Sequence, residues 1–393
     1  TGFKHEVVIY RLTDQLQGEV YRRDVSLNIP GNEKSSQELF FSVSENGKFA
    51  AVARQTGFLA KGFATFFVSI TNAETGIENH YELPTQIAGD DLETLGMAVG
   101  ENGLVYMICM AGVQLNSPFR KKYLVYVFNE QNKTLHEFDF ATQEIFTKEM
   151  ILRTDAQGMQ VASMYSTDPL NEDGINGYAF IQFDSIGAEI KERGIHGFRS
   201  EMVQTYKLGD EQISGNEVKH LFLNNILMCG ETPFIVFEKQ YKDEICQTDP
   251  RTGIISCSDQ FHYDGVTFEN LNQKESSFTL PRKQIDYDYQ GNYSSHQTLV
   301  IDSHLVVFYN DHYKNEGFSD AKIMNNPSRS VFRVAIIDEF GNAETKKLTE
   351  DRQSDFAFMA SIEPVETNGR IIVMGSNGRG YRFGRFPVSS ILK

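Results

Sequence analysis

Tryptophan is absent from the 393 residues, which excludes a WD-type blade and the Trp-ended Asp-box of sialidase-type propellers. No run approaches the roughly eighteen apolar residues that a membrane-spanning helix needs, so no direct membrane span is expected. A basic stripe is missing as well. The net charge is −16 and the pI is near 5.1, and pairs such as Lys121-Lys122 and Lys346-Lys347 stand isolated. Such an acidic surface repels phosphate, and nucleic acid is not an expected partner. Neither a Gly-rich phosphate loop, a Gly-x-Ser-x-Gly elbow nor a His-Glu-x-x-His pair occurs, so no cofactor is expected and no catalytic residue is assigned.

What the chain has is aromatic and glycine-rich: thirty Phe, seventeen Tyr and 31 Gly against ten Pro, a balance suited to short strands joined by tight turns. A unit of two hairpins recurs. Apolar strand patterns at 39–43 and 49–53 flank Glu45-Asn46-Gly47, and 65–70 and 77–83 follow. The phrase returns at 95–99 and 104–110 around Glu101-Asn102-Gly103, then at 123–128 and 135–140. Asn-Gly is the turn dipeptide of two-residue hairpins. Further units start near 150, 218, 298 and 358, with a turn read at Asn224-Asn225 in the fourth. The pattern predicts an all-β chain: a single β-propeller over 1–393 of six four-stranded blades, at 38–83, 93–140, 149–192, 218–280, 297–348 and 357–386. The last blade is completed by an N-terminal hairpin at 6–27, so that the two chain ends pair and close the ring.

In such blades the turns between strands 1 and 2 and between 3 and 4 share one end, and the remaining connections share the other. The first class is short here, whereas the second holds segments 56–62, 111–122, 166–176, 231–264 and 311–330 and the links 193–217 and 281–295. Long loops on a rigid scaffold are where binding residues concentrate. The candidates there are Tyr287, Tyr289 and Tyr293, an aromatic stretch able to stack a sugar or meet a protein, together with Asp311, His312 and Tyr313; the same Tyr residues also suit packing against neighbouring blades.

Cysteine is scarce, at four. Cys109 and Cys229 sit in apolar strand patterns, where a buried free thiol is expected. Cys246 and Cys257 flank Gln-Thr-Asp-Pro-Arg-Thr-Gly and could face each other across a hairpin as a disulfide or as two thiols. His296, Asp302, His304, Asp311 and His312 show no zinc spacing, and the loop from Asp168 to Gly174 has Pro169 where a calcium loop needs an acid. No metal site is expected from either. The chain opens on Thr1 with no signal peptide after it, which reads as a mature chain or one with its leader removed; either suits an exported protein.

Several phrases resemble a family of exported propeller proteins of Bacteroidota. They are Gly177-Tyr-Ala-Phe-Ile-Gln-Phe-Asp, Pro281-Arg-Lys-Gln with Tyr293-Ser-Ser, Phe308-Tyr-Asn-Asp311 with Lys314-Asn315, and Tyr381-Arg-Phe-Gly-Arg385. The chain departs from that family in the Cys-flanked hairpin and a short 193–217 link. The resemblance implies an extracytoplasmic location, periplasmic or cell-surface, and no established activity. Its extension is a soluble subunit docked on an outer-membrane machine, such as a plug at the periplasmic mouth of a type IX secretion pore. The function expected from all this is a non-catalytic protein–protein interaction module of the cell envelope, its protein partner a membrane-associated transport or secretion complex and its docking surface the long-loop face. The alternative is a carbohydrate-binding or hydrolytic propeller with a site at its central channel.

Overall fold

The structure is a computed structural model that describes residues 5–12, 18–25, 39–56, 62–112, 122–128, 133–138, 145–156, 158–168, 174–187, 189–206, 217–273, 276–287, 292–318, 322–349, 356–376 and 380–392. The chain divides into two compact units, Thr1–Gly197 and Phe198–Lys393. Both are all-β, built from four-stranded antiparallel sheets, six of them among the described residues. No described helix is long and apolar enough to cross a membrane.

In the first unit, sheet 1 takes Leu39–Val43, Phe49–Thr56, Phe63–Asn72 and Glu78–Ala88 in chain order. Sheet 2 takes Leu92–Val99, Val105–Ala111, Lys122–Phe128 and Lys133–Phe138, and sheet 3 takes Phe146–Asp155, Gly158–Ser166, Gly177–Phe183 and Ile190–Gly197. In the second unit, sheet 4 takes Leu221–Cys229, Thr232–Thr248, Ile255–Asn270 and Phe278–Asp286. Sheet 5 takes His296–Ile301, His304–His312, Ser330–Asp338 and Ala343–Lys347. Sheet 6 is centred on Arg370–Ser376, which pairs with Tyr381–Pro387 on one side and with the split edge Ala357–Phe358 and Val365–Thr367 on the other.

Consecutive sheets pack face to face because their strands alternate between two apolar faces. In sheet 2, Val105, Met107 and Cys109 face a layer with Ala51, Phe66 and Val68 of sheet 1. The residues between them, Leu104, Tyr106 and Ile108, pack instead with Met159, Val161 and Phe183 of sheet 3. Sheet 5 repeats the arrangement. Leu305 and Val307 pack on Phe234, Val236 and Leu280 of sheet 4, while Val306 and Phe308 pack on Phe358, Ile371 and Val373 of sheet 6.

Three expectations are corrected. Asn224-Asn225 is not a turn: Leu221–Cys229 runs straight through it with a bulge between Leu223 and Asn225, and the Asn225 side chain accepts the Ile226 N–H at 2.8 Å. The reversal falls at Gly230, whose φ is 62°. Segment 231–264 is not a loop but the greater part of the two longest strands of sheet 4, whose charged residues pair in register beyond the sheet's outer strands. The link 193–217 begins as strand and then forms the helix Ser200–Tyr206, which buries Met202, Val203 and Tyr206 at helical spacing. The N-terminal strands His5–Leu12 and Gly18–Val25 form a two-stranded sheet with each other, and Tyr381–Pro387 is the third strand of sheet 6 beside Arg370–Ser376 and the split edge.

The short turns are fastened to one another. At both Glu-Asn-Gly sequences the glycine N–H closes the turn onto the residue before Glu, Ser44 or Gly100. Only the glycine takes a positive φ, 67° at Gly47 and 80° at Gly103, so these are type I turns ending in a left-handed residue rather than two-residue turns. The Asn46 amide donates to the Glu101 carbonyl at 3.4 Å and the Asn102 amide to the Ser185 carbonyl at 2.7 Å, each in the next sheet. In the second unit Asn270 donates to the Glu339 carbonyl at 3.1 Å.

Two-residue turns do occur at Asn368-Gly369, with φ of 51° and 70°, and at Asp302-Ser303, with φ of 46° and 59°. The second places two side-chain-bearing residues where positive φ costs about 1 kcal/mol or more each. Replacing Asp302-Ser303 by Asn-Gly is expected to raise stability by about 1 kcal/mol, read as a higher urea midpoint at unchanged slope.

Candidate functional site

Between sheets 4 and 5 the apolar layer changes character along its strands. Phe234 and Val236, Leu280, Leu305 and Val307, and Ala335 are apolar and buried. Continuing the same alternation toward the long-loop end, the inward positions become Glu238, Arg282, Tyr309, Asp311 and Arg333. His296 lies opposite Tyr309 in the ladder and Tyr309 opposite Arg333, so these three share a face. All six are buried, Glu238 completely.

Two carboxylates and two guanidinium groups are thereby held out of water together, which is stable only if they are paired and hydrogen-bonded. Glu238 pairs with Arg282. Its other oxygen accepts from the Gln240 amide at 2.6 Å and the Ser295 hydroxyl at 2.8 Å. His296 Nδ1 stands 3.5 Å from Glu238 Oε1. Asp311 pairs with Arg333 Nε at 3.1 Å and accepts from the Asn315 amide at 2.7 Å and the His312 N–H at 2.7 Å. Arg333 also donates to the Asn315 carbonyl, and Arg282 lies within Coulombic range of Asp311, Tyr206 and Tyr309. Each carboxylate thus has its own guanidinium partner, Arg282 for Glu238 and Arg333 for Asp311.

Burial sets the titration of this group. It pulls Arg282 down to about 9, against the opposing pull of Tyr206, Tyr309 and Asp311. The Asp311 carboxyl rises above the usual carboxylate range because desolvation outweighs its bonds to Asn315 and Arg333. Burial, then the Arg282 charge, drives His296 well below its ordinary value, and burial pushes the Tyr309 phenol up to about 12. Neighbouring amides fix the surroundings. Asn310 bridges sheets 5 and 6 by donating to the Phe358 carbonyl at 2.6 Å and accepting the Phe358 N–H at 3.0 Å, and it donates to the Tyr293 carbonyl at 2.9 Å. Gln284 donates to the Asn310 carbonyl at 2.6 Å and accepts the Ser295 N–H at 2.7 Å.

Of the residues expected from sequence, Asp311 belongs to this network. His312 and Tyr313 follow it as half-buried rings stacked at 4.7 Å, with Lys314 Nζ 5.7 Å from the Tyr313 ring. Burial, then Lys314 and Lys322, pulls His312 down. Tyr293 is half-buried and tied to Asn310 through its backbone, Tyr287 is exposed, and Tyr289 lies outside the described residues. His304 falls at the opposite end of its strand, by the tight turn, where its Nδ1 is 2.7 Å from the Asp302 carbonyl. Cys246 and Cys257 are joined by a disulfide across the sheet 4 hairpin and stand apart from the network. Glu238, Arg282, His296 and Arg333 were not assigned as site residues from sequence. The signal that could have found three of them is the period of two that carries Phe234-x-Val236 on to Glu238, Leu280 on to Arg282 and Ala335 back to Arg333.

Removing one partner of a buried pair strands the other, so Glu238→Ala is expected to cost about 3–5 kcal/mol in denaturant unfolding. His296 gives a pH signature. Its folded-state value lies below the ~6.5 of an unfolded histidine, so the unfolded chain takes up a proton first. Its contribution to stability is whole above that value and is lost as pH falls, by up to ~1.4 kcal/mol per pH unit. Between about pH 7.5 and 5.5 the thermal midpoint should fall less in His296→Asn than in the native chain.

No family model matches the chain, and no curated protein matches it. Solved structures do resemble it. An acylaminoacyl peptidase of Pyrococcus horikoshii is 11% identical with a TM-score of 0.40 over 89% of this chain, and the chain spans only 45% of that protein's length. An ulvan lyase of polysaccharide lyase family PL25 is 10% identical with a TM-score of 0.40, over 97% of this chain and 89% of its own. An α-L-arabinanase of Penicillium chrysogenum is 8% identical with a TM-score of 0.33, over 89% of this chain and 93% of its own. At these identities the likeness is one of strand architecture. The docking module expected from the sequence is set aside as a correction: the similar structures include a peptidase, a polysaccharide lyase and glycosidases, the kinds of protein named in the alternative reading, beside the WD40 domain of a fission yeast protein, and their likeness to this chain is in fold alone.

Proposed function

We propose that this chain is a carbohydrate-directed β-propeller, hydrolytic or binding, whose fourth and fifth blades carry the site. The six-blade arrangement is supported by five successive four-stranded meanders followed by a sixth sheet with a split edge, and by the face-to-face packing of neighbouring sheets inside each unit. An extracytoplasmic location goes with it, supported by the exposed Cys246–Cys257 disulfide, a bond that persists in oxidising compartments.

The observation that carries the functional reading is the pair of buried carboxylates, Glu238 and Asp311, that sheets 4 and 5 hold on their facing sides at the long-loop end, each paired with an arginine. Glycoside hydrolysis uses two carboxyl groups in different states, one protonated and one ionised. Both carboxyls are met by donors, Asp311 by Arg333, Asn315 and the His312 N–H, and for Asp311 burial outweighs them. Burial favours the protonated form of Asp311, which suits it to protonate a leaving glycosidic oxygen. Glu238 is surrounded by three donors, Arg282, Gln240 and Ser295, an arrangement that a charged carboxylate satisfies. Exposed Tyr287 and the stacked His312 and Tyr313 rings at the same end of this unit supply aromatic faces on which a sugar can lie.

Incubation with arabinan, a uronate-containing polysaccharide and a sulfated one tests the reading by retention in affinity electrophoresis and by release of new reducing or unsaturated ends. The native chain should retard or cleave at least one of them. If it cleaves, Asp311→Asn should lower the rate by about 10²-fold or more; if it only binds, Tyr287→Ala and Tyr313→Ala should weaken retention. Absence of both retention and products across the three polymers would overturn the proposal.

A further inference from the structure

We propose that reduction of the Cys246–Cys257 disulfide turns the free end of the sheet 4 hairpin into a site for one soft divalent cation, zinc or cadmium, held by the two thiolates and the Glu244 carboxylate. The inference is independent of the carbohydrate reading, because it uses none of the residues of the buried network.

The register fixes the ligand set. Cys246 and Cys257 are directly opposed, with Cα atoms 4.0 Å apart, and Glu244 opposes Asp259 one step of the same face away. Four potential ligands thus share one face, two from each strand. Asp259 is engaged by Lys242 at 2.8 Å, which leaves Glu244 as the carboxylate nearest the sulfurs. The ligand atoms of Glu244, Cys246 and Cys257 all lie within 4.8 Å of one another, while tetrahedral zinc spreads sulfur and oxygen ligands by roughly 3.5–4 Å. Once the bond between the sulfurs is broken, the three atoms start within side-chain reach of that spacing. All three residues are exposed, so reductant and metal have access and water can take the fourth position.

The chemistry balances with a dithiol as reductant. The Sγ–Sγ bond breaks as it takes two electrons and two protons from the dithiol, which closes to its own disulfide. Metal entry then forms two Sγ–metal bonds and releases the two thiol protons, so affinity rises with pH up to the ordinary thiol value of ~8.5. The remaining cysteines do not compete. Cys109 and Cys229 are buried, and burial pushes their thiols up to about 12 and about 11.

The test uses the full chain, treated with a small dithiol, freed of it under anaerobic conditions and titrated with zinc against a chromophoric chelator. Cadmium is titrated in parallel to record thiolate-to-metal absorption. The reduced native chain should bind one equivalent, and the untreated chain and the Cys246→Ser, Cys257→Ser double variant none. Glu244→Gln should weaken binding by at least ~10-fold while keeping the cadmium–thiolate absorption. Because the three side chains are exposed, the variants should keep the native far-UV circular dichroism. The proposal fails if the reduced native chain binds no more tightly than the double-serine variant, or if Glu244→Gln binds as tightly as the native chain.

Discussion

Burial on both faces of a single sheet is the constraint from which the rest of each unit follows. Val105–Ala111 in the first unit and His304–His312 in the second send alternate residues into two different apolar layers. Neither strand has a solvent side over most of its length, so neither can slip by one residue without exchanging the two layers. This pins the register of the middle sheet, and through it the sheets on either side. It also explains why these strands read as unbroken apolar runs rather than as the alternation of a half-exposed sheet.

The same alternation generates the charged network. Where Val236 gives way to Glu238 and Leu280 to Arg282 the inward alternation continues, and the strand between them bulges at Gly265, whose φ is 77°. Charges in such a position cost several kcal/mol each when unpaired, and here they are met by one another and by amides that also hold the neighbouring connections. Asn310 and Gln284 between them reach sheets 4, 5 and 6 and the backbone at Tyr293 and Ser295. The network is therefore at once a polar part of the second unit's interior and the fastening of its long-loop end.

Much of this fold was legible in the sequence. The Glu-Asn-Gly phrases and the apolar patterns beside them placed the strands of sheets 1 and 2 to within a few residues, because turn chemistry and period-two patterning act over short range. What escaped depended on partners distant in the chain. Asn224-Asn225 carries the composition of a turn, yet the register of the opposing strand makes it a bulge. The run from Glu238 to Thr248 is polar enough to pass for a loop, and becomes strand only because Ile255–Asn270 pairs with it. Within the site, Asp311 stood out beside aromatic neighbours, whereas Glu238 and Arg282 carried no signal of their own in the sequence, because their pairing depends on strands far apart in the chain.

The bonds between short turns have a bearing on how such a chain can change in length. Asn46 reaches Glu101, Asn102 reaches Ser185 and Asn270 reaches Glu339, each by side-chain amide to backbone carbonyl in the following sheet. An extra residue in any of these turns would displace the acceptor or donor of its neighbour as well as its own. Insertions at that end are felt in two sheets at once, whereas an insertion in an unlinked connection is absorbed where it occurs. Growth of the chain is thereby channelled toward the opposite end, and the fold itself decides where new sequence can be tried.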